Sequence, residues 1–118
     1  MTKHSVLMSS PEHFKVEYAI NPWMVAGTEV DLDLAKKQWS NLKESIESAG
    51  ASVEVIPGNE EFPDLVFTAN SGIINGNDVL IANFKYEERR GEEELYSNWF
   101  NENGYSVGRI PSEYKFEG

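Results

Sequence analysis

Asp64 and Asn70 are two polar residues in a largely apolar stretch, and their types and spacing are suited to chemistry. Residues 65–67 are predicted to form a short buried strand, because Pro63 cannot donate a backbone hydrogen bond and suits the first residue of a strand. Residues 69–72 would follow as a turn. The two polar side chains would then lie at strand ends, where a carboxylate can pair with a cationic ligand. A purely structural role in the turn is the alternative.

The composition limits the classes of function. The chain has 118 residues, enough for one domain, with ten basic and twenty acidic side chains and a formal charge of -10. This balance argues against nucleic-acid binding, which needs a concentrated positive surface. No apolar run approaches the roughly 20 residues of a membrane span, and the N-terminus lacks the pattern of a secretion signal. We therefore expect no membrane association and a cytoplasmic location.

Metal and thiol chemistry are not expected. Cysteine is absent from the sequence, which excludes disulfides, thiolate metal sites and a thiolate nucleophile among these residues. The densest acidic run, residues 92–94, favours the positive N-terminal end of a helix over a metal site. His13 lies among charged neighbours, as a solvated surface histidine does. The sequence thus predicts neither a metal ion nor a cofactor.

An amphipathic helix is predicted to begin near Asp31 and end near Gly50. Apolar residues recur at alternating spacings of four and three, at Ala35, Trp39, Leu42, Ile46 and Ala49. Asp31 or Asp33 can cap the first turn, and Gly50 can end the helix in the left-handed conformation. Trp39 is expected in the core rather than against a ligand.

The other predicted elements surround this helix. In chain order they are strands at 5–10 and 52–57, a hairpin of strands around Gly76, a second helix from Glu92 to Gly104, and strands at 106–111 and 114–116. Residues 14–20 alternate between apolar and polar side chains, and we interpret them as an extended segment that is only partly strand.

An internal repeat indicates the fold class. Residues 50–57 match residues 104–111, and residues 5–8 echo residues 78–81. Each copy is a strand, a helix and a strand, but the hairpin and the lack of a GxGxxG loop argue against a Rossmann sheet. The sequence predicts an α/β protein of about two ββαβ units, with mixed sheets and outer helices. The first unit would cover residues 1–60 and the second residues 61–118 of a single domain.

Three segments resemble one family. They are PEHFKVEYAINPWM at residues 11–24, FPDLVFTAN at residues 62–70 and ERRGE at residues 88–92. On these segments the chain resembles the N-terminal part of an amidinotransferase-superfamily (pentein) enzyme of the dimethylarginine dimethylaminohydrolase and arginine dihydrolase branch. The resemblance implies an α/β-propeller of five ββαβ units, of which this chain would contain about two, and a guanidino substrate such as arginine.

The resemblance also implies a set of substrate-binding residues, namely Asn21, Asp64, Phe67, Asn70 and Arg90. Asp64 and Asn70 would approach the guanidinium, Phe67 would pack beside it, and Arg90 would face the substrate carboxylate. Glu117 would be a catalytic carboxylate that bonds the guanidinium or orients a histidine. Carboxylate oxygens match the planar donors of a guanidinium, and the Arg fork matches a carboxylate.

The family's nucleophile is not among these residues. The resemblance implies a cysteine near the far C-terminus that attacks the guanidinium carbon, and a histidine from a later unit that moves the protons. We therefore expect an N-terminal portion that binds guanidino compounds and is inactive alone. The alternatives are a free-standing, non-catalytic module that binds itself or a partner, and an unrelated small-molecule domain. Two units leave open faces, so a homodimer or higher oligomer is expected, with residues 79–84 or 105–110 near the contact.

Overall fold

The computed structural model describes residues 4–118, so residues 1–3 of the predicted first unit lie outside it. Its helices and strands are β1 (Ser5–Ser9), α1 (Leu32–Ser48), β2 (Ser52–Ile56), β3 (Gly72–Asn75), β4 (Asp78–Ile81), α2 (Glu87–Arg90), α3 (Glu92–Glu102) and β5 (Ser106–Arg109). Two compact units are present, one ending at Thr68 and the other beginning at Ala69. No helix of residues 4–118 is long and apolar enough to cross a membrane.

The first unit is built on two parallel strands joined through α1. Ser5 of β1 lies opposite Ser52 of β2, and the pairing continues to the other end of both strands. The helix begins as predicted, because the Asp31 carboxylate accepts a hydrogen bond from the backbone N–H of Leu34 at 3.0 Å. It ends at Ser48, and Gly50, two residues later, turns the chain with a φ of 101°, which a side chain would disfavour.

The apolar stripe of α1 is less covered than the sequence suggests. None of the seventeen residues of α1 is fully buried, and Leu34 and Leu42 are 48% and 55% exposed. Trp39, which was expected in the core, is half-buried. The helix therefore retains apolar surface.

The strand predicted at residues 65–67 is wrong. Residues Pro63–Val66 form a 3₁₀ helix with the proline at its start, and the Phe67 backbone N–H donates to the Asp64 carbonyl at 3.0 Å. The reason is that the fixed φ of proline suits the first turn of a helix as well as the start of a strand. A second 3₁₀ turn, Thr68–Ser71, occupies the predicted turn. Residues 14–20 form no regular strand, although Phe14 and Val16 are more covered than Lys15.

The second unit is a three-stranded sheet in the order β3-β4-β5. The predicted hairpin is confirmed, with Asn75 opposite Asp78 and a loop of two residues. Gly76 has a φ of 62°, as the first position of a type II′ turn requires. Strand β5 pairs parallel to β4, and the core contains Phe84, Tyr96 and Phe100.

Two details of the second unit differ from the sequence prediction. Residues Glu87–Arg90, for which the sequence predicted no helix or strand, form the short helix α2 directly before α3. The strand predicted at residues 114–116 is reduced to one bridge, between Asn83 and Phe116. The Asn83 side chain explains this, because its amide donates to the carbonyls of Ser112 and Tyr114 at 3.0 and 2.6 Å and holds the segment in a bend.

Candidate functional site

Asp64 is a nearly buried carboxylate of the first unit. It is 5% exposed, in the 3₁₀ helix that Pro63 starts. The hydroxyl of Tyr18 donates to its Oδ2 at 2.7 Å. Tyr18 comes from the extended segment at residues 14–20, which supplies a hydrogen-bond donor although it joins no sheet. This hydrogen bond is short, and it restricts the orientation of the carboxylate.

Asn21 and Phe67 have different environments in the same unit. The Oδ1 of Asn21 accepts from the backbone N–H groups of Trp23 and Met24, each at 3.0 Å, so this amide closes its own turn. Phe67 is 47% exposed, and its ring meets the edge of Phe14 at a centroid distance of 5.6 Å and an angle of 87°. Phe67 thus keeps an aromatic surface open to contact, three residues after Asp64.

In the second unit, Asn70 belongs to a network that the sequence prediction missed. Arg89 donates from Nη1 to the Oδ1 of Asn70 at 2.9 Å. It also donates from Nε and Nη2 to both carboxylate oxygens of Glu92, at 2.9 and 2.8 Å. Arg89 is 5% exposed and Glu92 is fully covered. In the sequence, this network is indicated only by an arginine three residues before a glutamate, and that spacing is also common on solvated helices.

Arg90, the neighbour of Arg89, is an exposed cation held by backbone groups. Its Nε donates to the Phe84 carbonyl and its Nη2 to the Lys85 carbonyl, both at 3.2 Å. Among residues 4–118 no carboxylate forms an ion pair with it, in contrast to Arg89 and Arg109. These contacts hold its guanidinium in place and leave its charge available to an anionic group.

Glu117 lies in the segment tied to Asn83. Phe116, just before it, exchanges two backbone hydrogen bonds with Asn83, at 2.8 and 3.0 Å. The Glu117 side chain itself is exposed. Its backbone is therefore located near the end of β4, and its carboxylate forms no hydrogen bond or ion pair with the described residues 4–118.

The acidic run at residues 92–94 begins α3, as predicted, and two of its members pair with arginines. Glu92 pairs with Arg89, and Glu93 accepts from Arg109 Nη1 at 2.9 Å. Within residues 4–118 no group of three or more acidic or histidine side chains is arranged to hold a metal ion. His13 instead lines a groove of about 590 Å³ in the first unit, which does not include Asp64 or Phe67.

Sequence comparison decides the family. The profile described as N,N dimethylarginine dimethylhydrolase, eukaryotic, matches residues 11–118. The chain belongs to this family. The resemblance drawn from the three segments is thereby confirmed, as is the mixed α/β fold class.

Curated relatives support the same branch of this family. The bifunctional arginine dihydrolase/ornithine cyclodeaminase ArgZ of Synechocystis is 39% identical over 114 residues, which cover 96% of this chain and 16% of ArgZ. The N(G),N(G)-dimethylarginine dimethylaminohydrolase of Mycobacterium tuberculosis is 40% identical over 98 residues, which cover 83% of this chain and 32% of that enzyme. The chain thus spans less than half of either relative.

A solved structure extends the likeness to three dimensions. The complex of L-arginine with a cysteine-to-alanine mutant of AgrE, from Nostoc, matches with a TM-score of 0.93 and 38% identity. The match covers 98% of this chain and 18% of that one. The two units described here therefore have the fold of part of an arginine dihydrolase of this family.

Proposed function

We propose that this chain is the portion of a guanidine-modifying enzyme that binds arginine-type substrates and that it does not turn them over by itself. Arg90 carries the proposal. Two carbonyls hold its guanidinium, and no carboxylate within residues 4–118 neutralises it. A fixed Arg fork of this kind matches the α-carboxylate of an amino acid.

The other contacts follow from the chemistry of a guanidinium ligand. Asp64 is proposed to accept from the planar N–H donors, with its orientation set by Tyr18. The exposed ring of Phe67 offers a face over which a delocalised cation can stack. Asn21 and Asn70 are proposed as further contacts, and Glu117 as a carboxylate that acts in the complete enzyme. The complex of AgrE with L-arginine supports the choice of ligand.

A pair of ligands tests the role of Arg90. Agmatine has the guanidinium of arginine but lacks its carboxylate. Calorimetric titration should show that Arg90→Gln weakens arginine binding about tenfold or more, in keeping with the loss of a charge-assisted hydrogen bond, and leaves agmatine binding unchanged. Asp64→Asn should weaken the binding of both ligands, because both contain the guanidinium. Lys85→Gln, with the same change in charge, is the control and should alter neither.

Two results would contradict these assignments. If Arg90→Gln lowered the affinities for arginine and agmatine equally, this residue would not contact the carboxylate. No heat from arginine with the unmodified chain would refute binding itself.

Turnover by the chain alone is not expected, because the sequence has no cysteine to attack the guanidinium carbon. Incubation with arginine or dimethylarginine should release no citrulline, ornithine or ammonia beyond a heat-denatured sample. Addition of the remaining part of ArgZ as a separate chain should restore release if this portion supplies only binding groups. Release by the chain alone would disprove the inactive assignment.

A self-associating module is a second candidate, because the structure exposes apolar side chains on one sheet. Ile73 of β3 is 56% exposed. A hollow of about 340 Å³ on the same sheet is lined by Ile73, Leu80 and Val107, among others. Apolar patches of this kind are commonly covered in an assembly. We propose a homodimer through this sheet as the simplest way to cover them.

A further inference from the structure

Arg89 holds the carboxamide of Asn70 in one orientation. Its Nη1 lies 2.9 Å from the Oδ1 of Asn70. A guanidinium has only N–H donors, so it must face the oxygen of the amide and not the NH₂ group. The Nδ2 of Asn70 then points to the other side of the amide, where the structure gives it no acceptor within residues 4–118.

Arg89 is itself held from two other directions. Its Nε and Nη2 bind both oxygens of Glu92, and its guanidinium carbon lies 4.5 Å from the centroid of the Phe84 ring. A bidentate pair and a stacked ring together restrict a planar group to one position. Since Arg89 and Glu92 are nearly or fully covered, this position is also shielded from water. The direction of Nη1, and with it the orientation of Asn70, is therefore determined by the α2–α3 connection.

We propose that Arg89 is a positioning residue that makes Asn70 a hydrogen-bond donor toward the ligand. This inference rests on the proposed function, because it concerns the same guanidino site. An amide held in this way offers two N–H groups on its free side. It matches an acceptor oxygen, such as the carbonyl of a ureido group or an attacking water. It does not match the N–H groups of a guanidinium, which the carboxylate of Asp64 suits instead.

The orientation of Asn70 should affect the choice between citrulline and arginine. Citrulline has a ureido oxygen where arginine has a guanidinium nitrogen. With Asn70 as a donor, the second unit should favour the ureido oxygen at that position. Asn70→Asp retains an oxygen for Arg89 but replaces the outward NH₂ with a second acceptor. This variant should reverse the preference, and its fold should be retained because Arg89 keeps its partner.

Nuclear magnetic resonance tests the orientation without any ligand. In the unmodified chain we expect a hydrogen-bond scalar coupling between the Arg89 Nη1 and the Asn70 Cγ, which an amide turned with its NH₂ group toward Arg89 could not give. Arg89→Lys should shift the Asn70 NH₂ signals, because an ammonium cannot reproduce the fork. The control Arg109→Lys, altering another glutamate-paired arginine of the same unit, should leave them in place. A folded chain that lacks the coupling between Arg89 Nη1 and Asn70 Cγ would overturn the proposal.

Ligand titration tests the specificity. The ratio of citrulline to arginine affinity should fall about tenfold or more in Asn70→Asp, in the range expected for a donor exchanged for an acceptor. It should fall less in Arg89→Lys, where the amide can rotate. An unchanged ratio in Asn70→Asp would refute the donor role. If neither ligand binds to any variant, the proposed function fails, whereas the scalar coupling still decides the orientation. Should Arg89→Lys fail to fold, Asn70→Asp and the coupling remain decisive.

Discussion

Neighbouring residues of one type have different roles in the second unit, as Glu92 and Glu93 show. Glu92 is fully covered and pairs with Arg89, which is itself nearly buried. Glu93 pairs with Arg109, whose side chain is 44% exposed, and accepts from the Phe84 backbone N–H. A buried pair is costly to break because the remaining charge loses its partner without regaining water. A pair in which the arginine is partly open to solvent is worth less, because water can replace the lost partner.

The two glutamates should therefore respond differently to the same substitution. Glu92→Gln leaves the buried Arg89 charge without a carboxylate, and we expect a loss of about 3–5 kcal/mol in the free energy of unfolding. Glu93→Gln, the matched change on the next residue, should cost roughly 1 kcal/mol. Urea denaturation followed by circular dichroism measures both. Equal losses would mean that the burial of Glu92 does not control its contribution.

Tyr96 makes the stability depend on pH at the alkaline end. Burial raises the pKa of its hydroxyl above the ordinary value of 10.0, with a further increase from the Glu92 charge and a partial opposing effect of Arg89. Above about pH 10 the unfolded chain loses this proton before the folded chain does, so the unfolded state binds fewer protons. The free energy of unfolding should therefore be unaffected by this group below that pH and fall above it.

A tyrosine substitution isolates this contribution. Tyr96→Phe should flatten the fall in unfolding free energy between about pH 10 and 12, even if it lowers stability at neutral pH through lost polar contacts. Tyr114→Phe, at a tyrosine that is 62% exposed, should leave the slope unchanged. Denaturation curves at several pH values provide the test. Parallel curves for the unmodified chain and Tyr96→Phe would contradict the assignment.

At the scale of elements, α1 depends strongly on its first turn because it has little burial. Asp31 caps the free N–H of Leu34, whereas Asp33 lies inside the first turn without that role. Asp31→Ala should lower the free energy of unfolding by about 1 kcal/mol. Asp33→Ala loses only a favourable charge near the helix N-terminus, about 0.3–1 kcal/mol at low salt and less at high salt. A salt-independent loss for Asp33→Ala as large as that for Asp31→Ala would refute the capping assignment.

The elements that were predicted correctly are marked by residues at their own ends or turns. Asp31 and Gly50 mark the two ends of α1, and Gly76 marks the hairpin. Pro63 gave the wrong element, because its φ fits both a strand start and a helical turn, and only tertiary contacts choose between them. For the candidate site, Asp64 and Asn70 were predicted from their type and context, and that assignment stays a prediction. Arg89 was not predicted. Only its burial separates it from a solvated surface arginine, and burial cannot be seen in the local sequence.

The internal repeat, in contrast, has a direct structural counterpart. Residues 5–8 echo residues 78–81, and residues 52–53 match residues 106–107. Ser5 lies opposite Ser52 in the first sheet, and Asp78 lies opposite Ser106 in the second. Equivalent positions of the repeat are thus paired in the same register in both units. A similarity of only a few residues was sufficient to indicate the pairing. A shift of one residue in register would turn every side chain of a strand to the other face, so a few matching positions fix the whole pairing.

At the scale of the molecule, the apolar surface on the sheet of the second unit favours association with a second copy. The exposed side chain of Ile73 in β3, with the adjoining hollow, offers an apolar surface to a second copy. A stable contact buries about 1,200–2,000 Å² in total. The charge of -10 opposes association, but at physiological salt its range is only about 8 Å, so apolar burial should dominate there.

We therefore expect a dimer in sedimentation equilibrium at physiological salt and a weaker one at low salt, where repulsion extends further. Ile73→Lys should convert the dimer to a monomer, because it places a charge at the centre of the proposed contact. Trp23→Lys is the matched control. It adds the same charge at a side chain that is 86% exposed in the first unit, and it should leave the dimer intact. A monomer at high protein concentration in both salts would refute association through this sheet, as would a dimer that Ile73→Lys does not weaken.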